Sequence, residues 1–128
     1  MMYYKNKIAL IDSQDAVLGN PAYDLASLID DVRIKTSNSF KSNILKVFLS
    51  KFKYKNESQF INDFEILSVL RNLKIIGIFT RLAKRDKKRK YLKLIPYAWK
   101  LIDNRIKNNT NFHDLKNFLQ KNPRIKKI

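Results

Sequence analysis

Acidic side chains concentrate near the start of this 128-residue chain, where they could bind a hard cation. Asp12 directly follows Lys7–Ile11, a short apolar segment that predicts a buried strand. A carboxylate at the end of such a strand can point into a cleft and bind Mg²⁺. It can equally cap the strand by accepting hydrogen bonds from amides of the following turn. The local pattern leaves both roles open for Asp12.

Three further aspartates fall within the helix predicted next along the chain. Asp24 lies in its first turn, where a carboxylate interacts favourably with the positive end of a helix. Asp30 and Asp31 lie further along it, and a solvated helix face is their simplest interpretation. For all three, the positions favour structural roles over chemical ones.

Other kinds of active site lack the residues that they need. The chain has no cysteine, which excludes disulfides, zinc fingers and a thiol nucleophile. Its one histidine, His113, stands in a polar context that is typical of a surface residue. Gly19 and Gly77 are the only glycines, so a Gly-rich phosphate-binding loop is excluded. Nothing intrinsic to these residues completes an active site.

Basic residues are a second candidate for binding, since the formal net charge is +16 and the densest run is Lys84–Lys93. A polyanion could contact seven side chains there, with Tyr91 stacking on a base; the seven are Arg81, Lys84, Arg85, Lys87, Lys88, Arg89 and Lys90. The alternative is a solvated turn between two helices. Lys, Asn and Ile all have AT-rich codons, so genome composition can raise the lysine content without any ligand. We therefore favour the solvated turn and do not expect nucleic acid as a partner.

Apolar residues recur at every third or fourth position in most of the chain, which predicts amphipathic helices over about 22–34, 39–53, 57–84 and 91–107. A last short helix carries Phe112, Leu115, Phe118 and Leu119. The third helix should be central. Gly77 within it predicts a close crossing with another helix. Pro96 predicts a bend or a restart in the fourth helix. The fold class is therefore mainly α, with one N-terminal strand, or a hairpin with Tyr3–Tyr4, followed by about five helices.

Length and composition set the remaining bounds. A chain of this size has room for one domain, and its 45% hydrophobic content is too high for a disordered tail. The first residues lack the apolar stretch of a signal peptide, and no apolar run approaches the length of a bilayer span. We therefore expect a cytoplasmic protein without membrane contacts.

Two blocks of the sequence resemble a known family. The first block is Leu10-Ile11-Asp12-Ser13-Gln14-Asp15-Ala16 followed by Gly19–Leu28. The second block is Arg71–Leu82, and the likeness to the family continues from there as far as Ile95-Pro96 and Trp99. In order and residue type they are similar to the C-terminal portion of the aminoglycoside phosphotransferase superfamily. The similarity is greatest to its bacterial N-acetylmuramate/N-acetylglucosamine kinase-like branch.

This resemblance implies a protein-kinase-like fold, of which residues 1–128 form a single partial domain, the latter part of the C-terminal lobe. It implies that Asp12 binds the Mg²⁺ that bridges the nucleotide phosphates, and that Asp24 braces the catalytic loop structurally. Gln14 and Asp15 line the same turn without a chemical step of their own. The cofactors of the intact family are Mg²⁺ and ATP, and we expect this chain alone to bind neither productively.

Departures from the family pattern limit the expected activity. The His-x-Asp catalytic loop and the nucleotide-binding lobe do not occur among these residues, and Ser13 replaces the usual aromatic. We therefore predict a truncated remnant of a sugar kinase, inactive alone and without a catalytic residue. One alternative is part of a split kinase, completed by a separate upstream-encoded chain. The apolar surface exposed in such a fragment would favour that partner or self-association. Another is a small basic helical protein that binds nucleic acid.

Overall fold

A computed structural model describes residues 2–9, 18–107 and 109–127. Within these ranges the elements are β1 (Met2–Tyr4), β2 (Lys7–Ala9), α1 (Ala22–Ile29), α2 (Asn38–Lys51), α3 (Glu57–Lys84), a 3₁₀ segment (Arg89–Leu94), α4 (Ile95–Ile106), a 3₁₀ turn (Thr110–Phe112), α5 (His113–Lys121) and a final 3₁₀ segment (Pro123–Lys127). This order confirms the mainly α class with an N-terminal hairpin and five helices. None of the described helices is both long and apolar enough to cross a bilayer.

The two strands form an antiparallel hairpin in which Tyr3 pairs with Ile8. The turn residues Lys5 and Asn6 both have positive φ, 48° and 59°, as two-residue hairpin turns require. The prediction of a buried strand is wrong for the described part, because Lys7, Ile8 and Ala9 are all exposed. The apolar run was typical of a strand between two layers, whereas no described helix packs extensively against this hairpin.

Helix α3 is the centre of the described structure. It covers the predicted 57–84 and is capped by Asn56, whose side chain accepts a hydrogen bond from the Gln59 amide at 2.9 Å. Helices α1 and α4 pack against it from different sides. A helix with apolar residues around more than half its circumference needs such partners on more than one face.

Helix α1 ends at Ile29, five residues before the predicted end at 34. The apolar spacing continued through Val32, which is indeed buried, but the chain leaves the helix at Asp30. The Asp30 side chain points into the protein interior, where it bonds to residues of three later helices. Tertiary hydrogen bonds thus end the helix at a point that local periodicity does not mark.

Helix α2 is capped by Ser37, whose hydroxyl accepts a hydrogen bond from the Phe40 amide at 3.2 Å. It is the peripheral helix, because Lys41 is the one described residue of α2 that is classed as buried. Its apolar side chains Ile44, Leu45, Phe48 and Leu49 are half-buried against α1 and α3.

Of the bend or restart predicted at Pro96, the structure shows a restart. Arg89–Leu94 forms a 3₁₀ segment, and α4 begins at Ile95 with the proline in its first turn. A proline is tolerated there because the first amides of a helix have no intrahelical acceptor. The boundary places Ile95, Ala98, Trp99 and Ile102 on the face that packs in the core.

Two apolar clusters hold the helices together. The larger joins α3, α4 and α5 through residues that include Ile76, Phe79, Ile95, Trp99, Ile102, Phe112 and Leu119. The smaller joins α1 to the first half of α3 through Ala22, Leu25, Ala26, Ile29, Phe60 and Phe64. Between them, at the level of Phe64 and Ser68, lies a polar network.

The close helix crossing predicted at Gly77 is wrong. Gly77 is exposed, and a Cβ added there would meet no heavy atom within 4 Å.

We expect Gly77→Ala to raise the free energy of unfolding by about 0.5–1 kcal/mol, since alanine has the higher helix propensity and no neighbour obstructs it. Urea denaturation measures this. Lys74→Ala, also exposed on α3, is the control and should change stability by less than about 0.5 kcal/mol; a destabilised Gly77→Ala variant would contradict the account.

Candidate functional site

The predicted magnesium ligand Asp12 and the residues predicted to line its turn lie outside the described part of the chain. Asp12, Gln14 and Asp15 all fall within 10–17, so their roles stay predictions. Asp24 lies in the first turn of α1, as predicted, and is exposed. Its bracing role also stays a prediction. Within the described ranges, no three His, Asp or Glu side chains are grouped as a metal site would need.

The seven basic residues named above are all exposed, at the end of α3 and in the segment that follows it. Arg85 forms an ion pair with Asp86 at 2.7 Å, which removes one cation from the run. Tyr91 is half-buried, and its ring packs against Phe79 with centroids 5.1 Å apart. Because its ring packs against the core, Tyr91 is only partly open for stacking on a base. Polyanion binding by the seven cations stays an alternative to the favoured solvated turn.

The best-defined polar site in the described structure is built on Asp30, which is 1% exposed. Its Oδ1 accepts a hydrogen bond from Lys41 Nζ at 2.8 Å. Its Oδ2 accepts one from the Ser68 hydroxyl at 2.6 Å and one from Arg105 Nε at 3.0 Å. Its backbone carbonyl accepts one from Arg71 Nη1 at 3.3 Å. One carboxylate therefore links α1 to α2, α3 and α4.

Opposing effects set the ionisation of Asp30. Burial disfavours the charged carboxylate, but the charges of Arg105 and Lys41 and the hydrogen bonds from Lys41 and Ser68 together outweigh it. The result is a pKa for Asp30 below its usual value of 3.8. The carboxylate is thus ionised at neutral pH and paired with two cations of low exposure.

Sequence reasoning missed this site because it interpreted Asp30 as part of a solvated helix face. Its hydrogen-bonding partners lie 11, 38 and 75 residues away, so no local spacing reveals them. The one available signal was the apolar stripe of α1, which Asp30 follows immediately and which Val32 resumes. An aspartate between two core positions indicates burial, but it does not identify the partners.

A cleft of about 280 Å³ opens beside the network, between the first turns of α2 and the end of α4. Its polar lining includes Asp30, Lys41, Arg105 and Lys107. Its apolar lining comes from Leu45, Phe64 and Leu101. The Arg105 guanidinium lies 4.7 Å from the centroid of the Phe64 ring, which holds that cation at the wall of the cleft.

The lowered pKa of Asp30 predicts a specific acid sensitivity. A carboxyl whose pKa is lower in the folded state stabilises the fold above its unfolded pKa, and this contribution is lost as the pH falls through the folded value. The free energies of unfolding of wild type and Asp30→Asn are compared. We expect the difference between them to shrink as the pH falls below about 4. Urea denaturation of both proteins from pH 7 to pH 2 measures the difference.

Asp31→Asn is the control for this titration. Hydrogen bonds from Arg33 also lower the pKa of Asp31, but that arginine is largely exposed. The difference between wild type and Asp31→Asn should therefore be small at every pH. A wild-type-to-Asp30→Asn difference that stays constant down to pH 2 would contradict the assigned ionisation.

Comparison with known proteins places the chain among homologues of bacterial sugar kinases, although no protein-family profile matches it. An N-acetylmuramate/N-acetylglucosamine kinase of Caulobacter vibrioides is 34% identical over 97 residues, covering 76% of this chain and 27% of the kinase. The kinase of the same name from Neisseria meningitidis is 33% identical over 102 residues, covering 75% of this chain and 30% of that kinase. The kinase of the same name from Pseudomonas aeruginosa is 25% identical over 120 residues, covering 89% of this chain and 36% of that kinase.

These relatives confirm the resemblance to the N-acetylmuramate/N-acetylglucosamine kinase-like branch: the chain is similar to part of each of these kinases. It spans between 27% and 36% of the length of the curated relatives that it matches. Assignment to the wider aminoglycoside phosphotransferase superfamily stays a prediction.

Proposed function

We propose that this chain forms the helical part of an ATP-dependent sugar kinase and that it does not transfer phosphate by itself. The observation that carries the proposal is the similarity of the chain to three N-acetylmuramate/N-acetylglucosamine kinases over about three-quarters or more of its length. The helices around α3 then serve as the platform on which the catalytic segments of such a kinase rest. A kinase of this kind would work in the cytoplasm, where ATP is supplied.

Asp12 is the proposed contribution of this chain to the chemistry. Its carboxylate offers oxygen atoms, which are the donors that Mg²⁺ prefers. When bound, the ion would neutralise charge on the nucleotide phosphates. Phosphoryl transfer also needs a residue that orients the attacking hydroxyl and groups that hold the phosphates. The 128 residues contain no His-x-Asp pattern and no Gly-rich loop to supply them.

An activity assay tests the proposal. The purified chain is incubated with Mg-ATP and either N-acetylmuramate or N-acetylglucosamine. We expect no sugar phosphate above the background without protein. Sustained turnover on either sugar would contradict the proposed inactivity.

The exposed apolar surface favours a second candidate, one part of a split kinase. Leu28, Phe40, Val47 and Phe52 are each between 51% and 55% exposed and line one groove of about 310 Å³ between α1 and α2. Half-exposed side chains grouped in this way mark an interaction surface more often than scattered ones do. A chain of net charge +16 repels its own copies, so we propose that a separately encoded kinase segment covers the groove.

Co-expression tests the split-kinase candidate. The reading frame immediately upstream of the gene should encode a phosphate loop and a His-x-Asp loop, and its product should co-purify with this chain and yield sugar kinase activity. Val47→Asp should abolish co-purification, because it puts a charge into the groove. Ser50→Asp makes the same charge change on α2 outside the groove and should not. An upstream frame that lacks those motifs, or self-association through the groove, would overturn this candidate.

A further inference from the structure

The cleft beside Asp30 has more positive charge than its carboxylate balances. Lys41, Arg105 and Lys107 line it, and among the described residues Asp30 is the one acidic residue in its lining. The one acidic side chain on α4, Asp103, faces a different cleft and pairs with Lys126 at 2.6 Å. A local excess of two positive charges therefore remains at the cleft.

The two inner cations also keep unused hydrogen-bond donors. Among the described residues, Asp30 is the hydrogen-bond partner of Lys41 Nζ, which has three protons to donate. Arg105 uses Nε and Nη2 on the same carboxylate, and Nη1 makes no hydrogen bond to the described residues. Lys41 is only 9% exposed, so water solvates its ammonium poorly. Charge-assisted hydrogen bonds are strongest at such low-dielectric positions.

We propose that this cleft binds a small ligand through an oxyanion group, a phosphate or a carboxylate. Lys41, Arg105 and Lys107 supply the charge, and Ser42 and Asn104 supply neutral donors at the rim. Leu45 and Leu101 offer an apolar surface for a short carbon body. The volume of about 280 Å³ lies at the lower end of small-molecule sites, which suits a compact anion better than a nucleotide.

Anion titrations of the full chain test this site. Inorganic phosphate, acetate and chloride are added separately at constant ionic strength, and backbone amide shifts are followed by NMR. We expect saturable shifts at Lys41, Ser42 and Lys107 with phosphate, acetate or both, and none with chloride. Saturation by phosphate alone assigns a phosphate ligand, saturation by acetate alone assigns a carboxylate, and saturation by both assigns the shared oxyanion chemistry.

Two charge-reversal variants distinguish specific anion binding in the cleft from nonspecific attraction of anions to a basic protein. Lys107→Glu, at an exposed residue of the cleft, should weaken binding about tenfold or more. Lys74→Glu makes the same charge change on α3 outside the cleft and should alter the affinity less than about twofold. Equal weakening in both variants, or no saturable shift with either oxyanion, would overturn the proposal.

Discussion

Asp30→Asn is expected to lower the free energy of unfolding by about 3–5 kcal/mol at neutral pH, as removal of one partner from a buried ion pair does. The asparagine nearly preserves the size of the side chain but removes its charge. Lys41, at 9% exposure, then keeps a positive charge without a counter-ion, and Arg105 loses the same partner. Because small domains are stable by about 5–15 kcal/mol, this loss is a large fraction of the total. Urea denaturation at pH 7 measures it.

Two controls separate the buried pair from a general effect of removing charge. Asp31→Asn is the matched change next along the chain, and we expect it to cost less than about 1 kcal/mol because its partner Arg33 is exposed. Adding Lys41→Met to Asp30→Asn should recover part of the loss, since it removes the uncompensated ammonium. Equal costs for the two asparagine variants, or strict additivity with Lys41→Met, would contradict the account of the network.

Phe64→Ala is expected to lower the free energy of unfolding by about 3–5 kcal/mol, which is typical of truncating a large buried side chain. Phe64 is 1% exposed and belongs to the cluster that joins α1 to α3. Its ring also lies under the Arg105 guanidinium at 4.7 Å, so the truncation removes a cation–π contact as well. Thermal and urea unfolding followed by circular dichroism measure the loss.

Phe118→Ala is the matched control for this truncation. Phe118 lies on α5 and is 54% exposed, so the same chemical change there creates no cavity. We expect a cost within about 0.5 kcal/mol. A comparable loss for Phe118→Ala would show that α5 is packed differently from the structure described above.

The helical architecture could be predicted because it depends on local pattern. Helix α3 has the predicted bounds, since its apolar positions run without interruption between the cap at Asn56 and the basic segment after Lys84. Pro96 marked the start of α4 for an equally local reason, the missing amide hydrogen. Signals of this kind need no knowledge of which elements meet in space.

What could not be predicted depends on which elements meet. Burial of Asp30 rests on Lys41, Ser68 and Arg105, which no spacing connects to it. The exposure of Gly77 depends on the direction from which α4 approaches α3. The exposure of β2 likewise depends on which element, if any, covers the hairpin.

The candidate site was predictable in a different way. Asp12, Gln14, Asp15 and Asp24 were identified by resemblance to a kinase-like branch, and curated kinases of that branch confirm the resemblance. The roles of these four residues stay predictions, because three of them lie outside the described ranges and Asp24 is an exposed residue of α1. The Asp30 network and its cleft, by contrast, became visible only through the tertiary structure.

The most direct test of the central proposal is transfer of the γ-phosphate of Mg-ATP to N-acetylmuramate or N-acetylglucosamine. The purified 128-residue chain is compared with its Asp12→Asn variant, and the intact Caulobacter vibrioides kinase serves as the positive control. We predict that the wild-type chain and the variant both give the rate seen without protein. Magnesium-dependent turnover at ordinary enzyme rates, about 1–10³ s⁻¹, that disappears in Asp12→Asn would contradict the proposal that this chain is inactive by itself.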